Sequence, residues 1–121
     1  MINVLDIRRL LIAATRSDLL IVTETYEEAR VIRREIKEYT EWHMPIHVPV
    51  WEQSERLTIG GYYDIYVEPL CDWNKEKRYK PFSGAVLVTD KKLSSGIQNI
   101  AEGIVIKPLS VERGGKNAEM P

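Results

Sequence analysis

The sequence predicts an α/β fold, in which helices pack against a mixed β-sheet; an α+β arrangement fits the same elements. Two observations lead to this prediction. An amphipathic helical pattern runs over about residues 25–41, and segments with strand periodicity lie on both sides of it. A helix in that position leaves room for a right-handed crossover between parallel strands. We therefore expect a sandwich of two to three layers.

The chain begins with a predicted helix from Asn3 to Thr15, where apolar residues recur at helical spacing. Asn3 is suited to cap its N-terminus, and Asp6 favours the positive end of the helix dipole. Residues 19–22 are all apolar, a pattern that is typical of a strand buried on both faces.

The most regular pattern belongs to the long helix. Thr25 and Glu28 form the capping-box sequence that starts a helix. Beyond them, apolar residues at spacings of three and four predict one buried stripe, and charged residues fill the other faces. Arg34 and Glu38 are four residues apart, which predicts an ion pair on the solvent side. The stripe consists of Ala29, Ile32, Ile36 and Tyr39.

The middle of the chain changes to a period of two, which is typical of strands. Residues 46–50 alternate, but Pro49 restricts this strand to an edge or an end of the sheet. Residues 56–59 and 62–67 predict two strands joined by a two-glycine turn, and we expect Pro69 to end the second.

The last part of the chain predicts shorter elements. A polar loop over residues 71–83 precedes an apolar strand at 84–88. A short helix or turn at 93–101 and a final strand at 103–109 follow. The long helix is thus accompanied by an N-terminal helix and a short later one.

Length and net charge limit the classes of protein to which this chain can belong. The chain has 121 residues, enough for one domain, which we expect at 1–109 with a flexible tail at 110–121. The formal net charge of −1 argues against histone-like DNA binders, acidic DNA mimics and membrane-surface peptides, since each needs a large excess of one sign. The charge is nevertheless uneven: residues 1–16 sum to +2, 17–68 to −6 and 69–121 to +3. A local basic surface is compatible with that distribution.

Several features predict a cytoplasmic protein without membrane contact. No apolar run approaches the roughly 18–20 residues that span a bilayer, and the N-terminal pattern is not that of a signal peptide. The one cysteine, Cys71, has no partner for an internal disulfide, which fits a reducing compartment. We expect Cys71 to be structural, because nothing near it in sequence indicates a lowered thiol pKa.

Residues 73–82 interleave four cations with three aromatic rings, Phe82 being the last of them. Cations suit phosphate groups and rings suit stacking on bases, so this segment is a candidate for contact with a nucleic acid or a nucleotide. The same residue types are common where proteins contact each other. A solvated loop whose rings pack on the core is the simpler interpretation. The candidate binding residues are Trp73, Lys75, Lys77, Arg78, Tyr79 and Lys80.

The sequence predicts no metal site. His43 and His47 have the spacing of two zinc ligands on a helix, but Pro45 between them breaks such a helix. On an extended strand two residues four apart are about 13 Å apart, too far to share an ion.

Three carboxylates are candidates for magnesium-dependent chemistry: Asp64, Glu68 and Asp90. Asp64 and Glu68 lie four residues apart on one predicted strand, and the same separation of about 13 Å applies to them. Asp90 joins Asp64 only if their strands are adjacent.

Two short stretches resemble parts of nucleotide-dependent enzymes. Residues 102–108 (Glu-Gly-Ile-Val-Ile-Lys-Pro) resemble the strand that contacts the nucleotide in ATP-dependent RNA and DNA ligases. The resemblance implies that Glu102 and Lys107 serve the adenylate and metal, but the Lys-x-Asp-Gly segment that supplies the adenylated lysine is absent. Residues 18–29 and 86–90 resemble strands and a helix of helicase-like and terminase-like ATPases, whose phosphate-binding loop is absent as well.

These observations predict a small non-enzymatic interaction module that binds a protein partner or a second copy of itself. Three Trp and six Tyr residues are a large number for so short a chain, and such rings are enriched in protein interfaces. The alternative is a nucleic-acid- or nucleotide-binding accessory domain that uses residues 73–82. A magnesium-dependent phosphoryl-transfer enzyme or nuclease is a remote alternative, and no cofactor is expected.

Overall fold

A computed structural model describes residues 2–43, 49–76 and 79–110, which form one six-stranded mixed sheet with helices on both faces. The predicted α/β fold is thereby confirmed. A 3₁₀ helix at Lys91–Gly96 accompanies three α-helices and six strands in these ranges. The elements are α1 (Val4–Ala13), β1 (Leu19–Thr23), α2 (Tyr26–His43), β2 (Val50–Gln53), β3 (Arg56–Ile59), β4 (Asp64–Pro69), α3 (Leu70–Lys75), β5 (Ala85–Val88) and β6 (Ile106–Pro108).

Strand β1 lies inside the sheet, whose order is β2-β3-β4-β1-β5-β6. It pairs in parallel with β4 on one side and β5 on the other, and Leu19 stands opposite both Ile65 and Ala85. Helices α2 and α3 lie in the connections between these parallel strands, as crossovers require. The amino ends of β1, β4 and β5 therefore share one edge of the sheet, and their carboxyl ends share the other.

Two apolar clusters cover the two faces of the sheet. The larger lies under α1 and α2, where the predicted stripe residues Ala29, Ile32 and Ile36 are fully buried. The smaller contains Trp73 of α3 and Leu93 of the 3₁₀ helix. All five residues of β1 are buried, because this strand carries a cluster on each face. None of the described helices has a stretch long and apolar enough to cross a bilayer.

Helix α2 begins nearly as predicted. The Thr25 hydroxyl accepts a hydrogen bond from the Glu28 backbone N–H at 3.1 Å. The Glu28 carboxylate, however, accepts from the backbone N–H of Glu24, one residue earlier than a capping box requires. The predicted ion pair between Arg34 and Glu38 is present at 3.9 Å.

The predicted loop at 71–83 is wrong in its first part, which is helix α3. Six residues are too few to show a helical period, so composition alone suggested a loop. The helix turns Trp73 onto the smaller cluster, where the side chain is 2 % exposed. Its indole N–H donates to the carbonyl oxygen of Gln98 at 2.8 Å, which satisfies the polar atom of the buried ring.

Other boundaries shift by a few residues. The strand predicted at 46–50 falls mostly on residues 44–48, which lie outside the described residues, as does the predicted tail from 111 onward. The described strand begins at Val50 and forms an edge of the sheet, as Pro49 predicts. Strand β4 includes Pro69 as its last residue, and β6 is shorter than predicted.

Candidate functional site

A cleft of about 580 Å³ lies at the edge of the sheet where the amino ends of β1, β4 and β5 meet. Three short stretches of chain build it: residues 16–18 before β1, the start of β4, and residues 79–84 before β5. Since the strands are parallel, their pairing brings together side chains that are far apart in sequence. The lining side chains that carry an aromatic ring or a charge are Arg16, Asp18, Tyr63, Tyr66, Tyr79, Lys80 and Phe82.

Close backbone contact joins two residues that line the cleft. Gly84 lies against Asp18, so that a Cβ atom on residue 84 would stand 1.9 Å from the Asp18 carbonyl oxygen. The Asp18 carboxylate accepts a hydrogen bond from the backbone N–H of Asp64 at 3.0 Å. These contacts tie together the segments that precede β1, β4 and β5.

Two of the four rings in the cleft are held by packing. Phe82 meets Tyr66 edge to face at 6.1 Å between ring centroids, and it meets the buried Trp73 in the same way at 5.9 Å. Tyr63 and Tyr79 are different, because they are 50 % and 96 % exposed. A ligand in the cleft therefore meets two accessible rings beside two fixed ones.

The cations of the cleft differ in how they are paired. Arg16 and Lys80 are exposed and form no ion pair with another described residue. Arg56, on the neighbouring strand β3, lies 3.6 Å from the Asp64 carboxylate. A hydrogen bond with Tyr66 is the main cause that raises the pKa of Arg56, and Asp64 raises it further. Arg56 is thus a fixed cation, whereas Arg16 and Lys80 are available to an anion.

The structure divides the predicted segment 73–82. Tyr79 and Lys80 line the cleft, whereas Trp73 is buried and its ring is not accessible for stacking, which corrects the prediction for that residue. Lys75 ends α3 and does not line the cleft. The other two predicted cations, Lys77 and Arg78, lie outside the described residues.

Sequence reasoning did not associate Arg16, Asp18, Tyr63 or Tyr66 with this segment. The signal was weak: two adjacent tyrosines follow the glycine turn, and an arginine precedes a buried strand. Only the parallel pairing of β1 with β4 and β5 brings these residues to one place.

The three candidate carboxylates are separated. Strands β4 and β5 flank β1 and are not adjacent, so Asp64 and Asp90 do not meet as the enzyme alternative requires. Asp64 lies at the amino end of β4, where it accepts from the Thr58 hydroxyl at 2.7 Å. Glu68 is buried near the opposite end, and Asp90 caps the 3₁₀ helix by accepting from the Lys92 N–H at 3.1 Å. No group of three or more His, Cys, Asp or Glu converges in the described ranges.

The remaining candidates lie away from the cleft. His43 stacks on Tyr39 with ring centroids 4.2 Å apart, and His47 is outside the described residues. Cys71, which we expected to be structural, is exposed, and its thiol donates to the Asp72 carboxylate at 3.7 Å. Lys107 lines a separate groove next to α1, on the other side of the sheet from Trp73.

Comparison of the chain with protein-family models, with curated proteins and with solved structures found no match.

Proposed function

We propose that this domain binds single-stranded nucleic acid and that the cleft holds one of its nucleotides. The observation that carries the proposal is the combination of two exposed rings, Tyr63 and Tyr79, with two cations that form no ion pair within the described ranges, Arg16 and Lys80. Exposed rings stack on any base, and each stacked base contributes about 1–3 kcal/mol. Free cations neutralise the phosphates that join the bases.

The size and composition of the cleft also support this ligand. Its volume of about 580 Å³ is within the range of sites that bind small molecules. A duplex keeps its bases stacked inside, so rings in a cleft favour a single strand, whose bases are free to leave the stack. The balanced net charge agrees with contact to few phosphates and not with bulk attraction to DNA.

The test is fluorescence anisotropy with a labelled decathymidylate. We expect Tyr79→Ala to weaken binding about 5-fold to 100-fold, because it removes one stacking ring. Tyr26→Ala is the matched control, since Tyr26 is 55 % exposed and begins α2 at the opposite edge of the sheet. Equal affinities of the two variants, or no binding by the wild-type chain, would contradict the proposal.

The salt dependence of the same binding tests the two cations. We expect the double variant Arg16→Gln and Lys80→Gln to reduce the slope of log K against log salt by about 1.4, since a single strand contributes about 0.7 per neutralised phosphate. Lys91→Gln removes an exposed cation at the far edge and should leave the slope unchanged. If the double variant also kept the wild-type slope, Arg16 and Lys80 would not contact phosphates of the ligand.

A second candidate function is self-association, which agrees with the interaction module expected from the sequence. Val4, Leu5 and Ile12 are large apolar residues that α1 leaves exposed. An apolar surface is complementary to itself, so two copies can bury it about a two-fold axis. Light scattering should then detect a dimer that Ile12→Glu dissociates; a wild-type monomer at high concentration would contradict this function.

A further inference from the structure

We infer that the bound strand continues from the cleft across the open face of β4, β3 and β2 and stacks a further base on Trp51. This inference rests on the proposed function and adds the path of the ligand and one more contact residue. It follows from the register of the three strands, from the exposure of their side chains and from the position of Arg56.

The register assigns Tyr66 and Trp51 to the same face of the sheet. Arg56 of β3 stands opposite Tyr66 of β4, and Thr58 stands opposite both Asp64 of β4 and Trp51 of β2. Residues directly opposite in an antiparallel pair point to one face, as do residues two apart on a strand. This face is opposite to the one that buries Leu57 and Ile59 under α2.

The shared face is accessible to a ligand beyond the cleft. Trp51 is 55 % exposed on the edge strand, and Gln53 beside it is exposed as well. Helix α3 packs mainly on β1 and β4, so its main contacts lie away from β2 and β3. A flat aromatic side chain on an open sheet is a surface on which a base can stack.

Arg56 lies between the two aromatic positions and is held in place. Its guanidinium contacts the Asp64 carboxylate and hydrogen-bonds the Gln53 side chain. The Asp64 carboxylate is itself satisfied by the Thr58 hydroxyl. A guanidinium fixed in this way keeps its planar face for a base or its free N–H groups for a phosphate. The path from the cleft to Trp51 therefore passes Arg56 and the Asp64 carboxylate, which both Arg56 and Thr58 contact.

Distance makes this contact dependent on ligand length. Trp51 lies two strand spacings from β4, which corresponds to about 10 Å across the sheet. A ligand confined to the cleft does not reach it, whereas a strand of several nucleotides does.

The experiment compares two probes, a 5′-phosphorylated dithymidylate and a decathymidylate, on the full chain. We expect Trp51→Ala to weaken binding of the decamer at least about 5-fold and to leave the affinity for the dimer within about 2-fold. Tyr79→Ala should weaken both probes. Trp42→Ala is the matched control, because Trp42 is an exposed tryptophan on α2, on the other side of the sheet.

The intrinsic tryptophan emission gives a second measurement. The decamer should quench the emission of the wild-type chain and of Trp42→Ala, and this quenching should be lost in Trp51→Ala because Trp73 is buried. Unchanged affinity of Trp51→Ala for the decamer would overturn the path and leave the proposed function standing. Absence of binding of both probes to the wild-type chain would overturn the proposed function and the path together.

Discussion

The backbone of Gly84 lies so close to the carbonyl oxygen of Asp18 that a Cβ atom on residue 84 would stand 1.9 Å from that oxygen. The contact joins the residues that immediately precede two parallel neighbours, since Leu19 and Ala85 stand opposite each other at the start of β1 and β5. Asp18 and Gly84 also line the cleft that contains Tyr79 and Lys80. The stability of the sheet and the shape of the cleft thus depend on the same glycine.

We expect Gly84→Ala to lower the free energy of unfolding by about 2 kcal/mol or more, because the added methyl group forces backbone atoms apart. Urea denaturation followed by circular dichroism measures this change. Ser83→Ala is the matched control: Ser83 is exposed, and its change should stay within about 0.5 kcal/mol. If Gly84→Ala were as stable as the wild-type chain, the backbone at residues 18 and 84 would accommodate a methyl group without loss of stability.

Arg33 provides a second prediction, because it is a charged residue in the larger core. Its side chain is 3 % exposed, and it donates to the carbonyl oxygen of Val67 at 2.7 Å. Its Nε atom has no hydrogen-bond partner among the described residues and lies 3.7 Å from the Glu52 carboxylate. Since Glu52 is partly exposed, we expect Glu52→Gln to lower stability by only about 1–2 kcal/mol.

A double-mutant cycle measures this interaction directly. In an Arg33→Met background, Glu52→Gln should lower the free energy of unfolding by less than about 0.5 kcal/mol, because the buried cation is absent. Lys37→Gln is the control, since Lys37 also lies 3.7 Å from Glu52 but is itself part-exposed, and its effect should be small. If Glu52→Gln cost the same in both backgrounds, Glu52 would not compensate the charge of Arg33.

The burial of Trp73 predicts its fluorescence. In the double variant Trp42→Phe and Trp51→Phe, Trp73 is the remaining tryptophan of the chain. Its native emission should lie at shorter wavelength than in urea, and iodide should quench it weakly, because only 2 % of the side chain is exposed. Strong quenching in the folded state would contradict the burial of the Trp73 ring.

The sequence correctly predicted the elements in which the pattern of apolar residues is long or uninterrupted. The α2 stripe is long enough to show a helical period, and the apolar run of β1 matches a strand buried on both faces. Pro49 correctly indicated an edge strand, because proline cannot donate a hydrogen bond to a neighbour. Helix α3 escaped prediction because six residues do not complete two turns.

The candidate site could be predicted only in part. Tyr79 and Lys80 belong to the segment that the sequence predicts to contact a ligand, but Trp73 in the same segment packs inward. The sequence does not show whether an aromatic or basic side chain faces solvent or the core. That orientation depends on the helix, strand or loop that carries the residue and on what this element packs against.

The sequence by itself determined the fold class, the long amphipathic helix and the buried central strand, since these depend on the period of apolar residues along a few turns or one strand. Tertiary structure alone decided that residues 16–18, 63–66 and 79–84 share one cleft and that Asp64 lies apart from Asp90. The physical reason is strand order: β1 pairs with β4 and β5 across long connections, and no local pattern specifies which strands become neighbours.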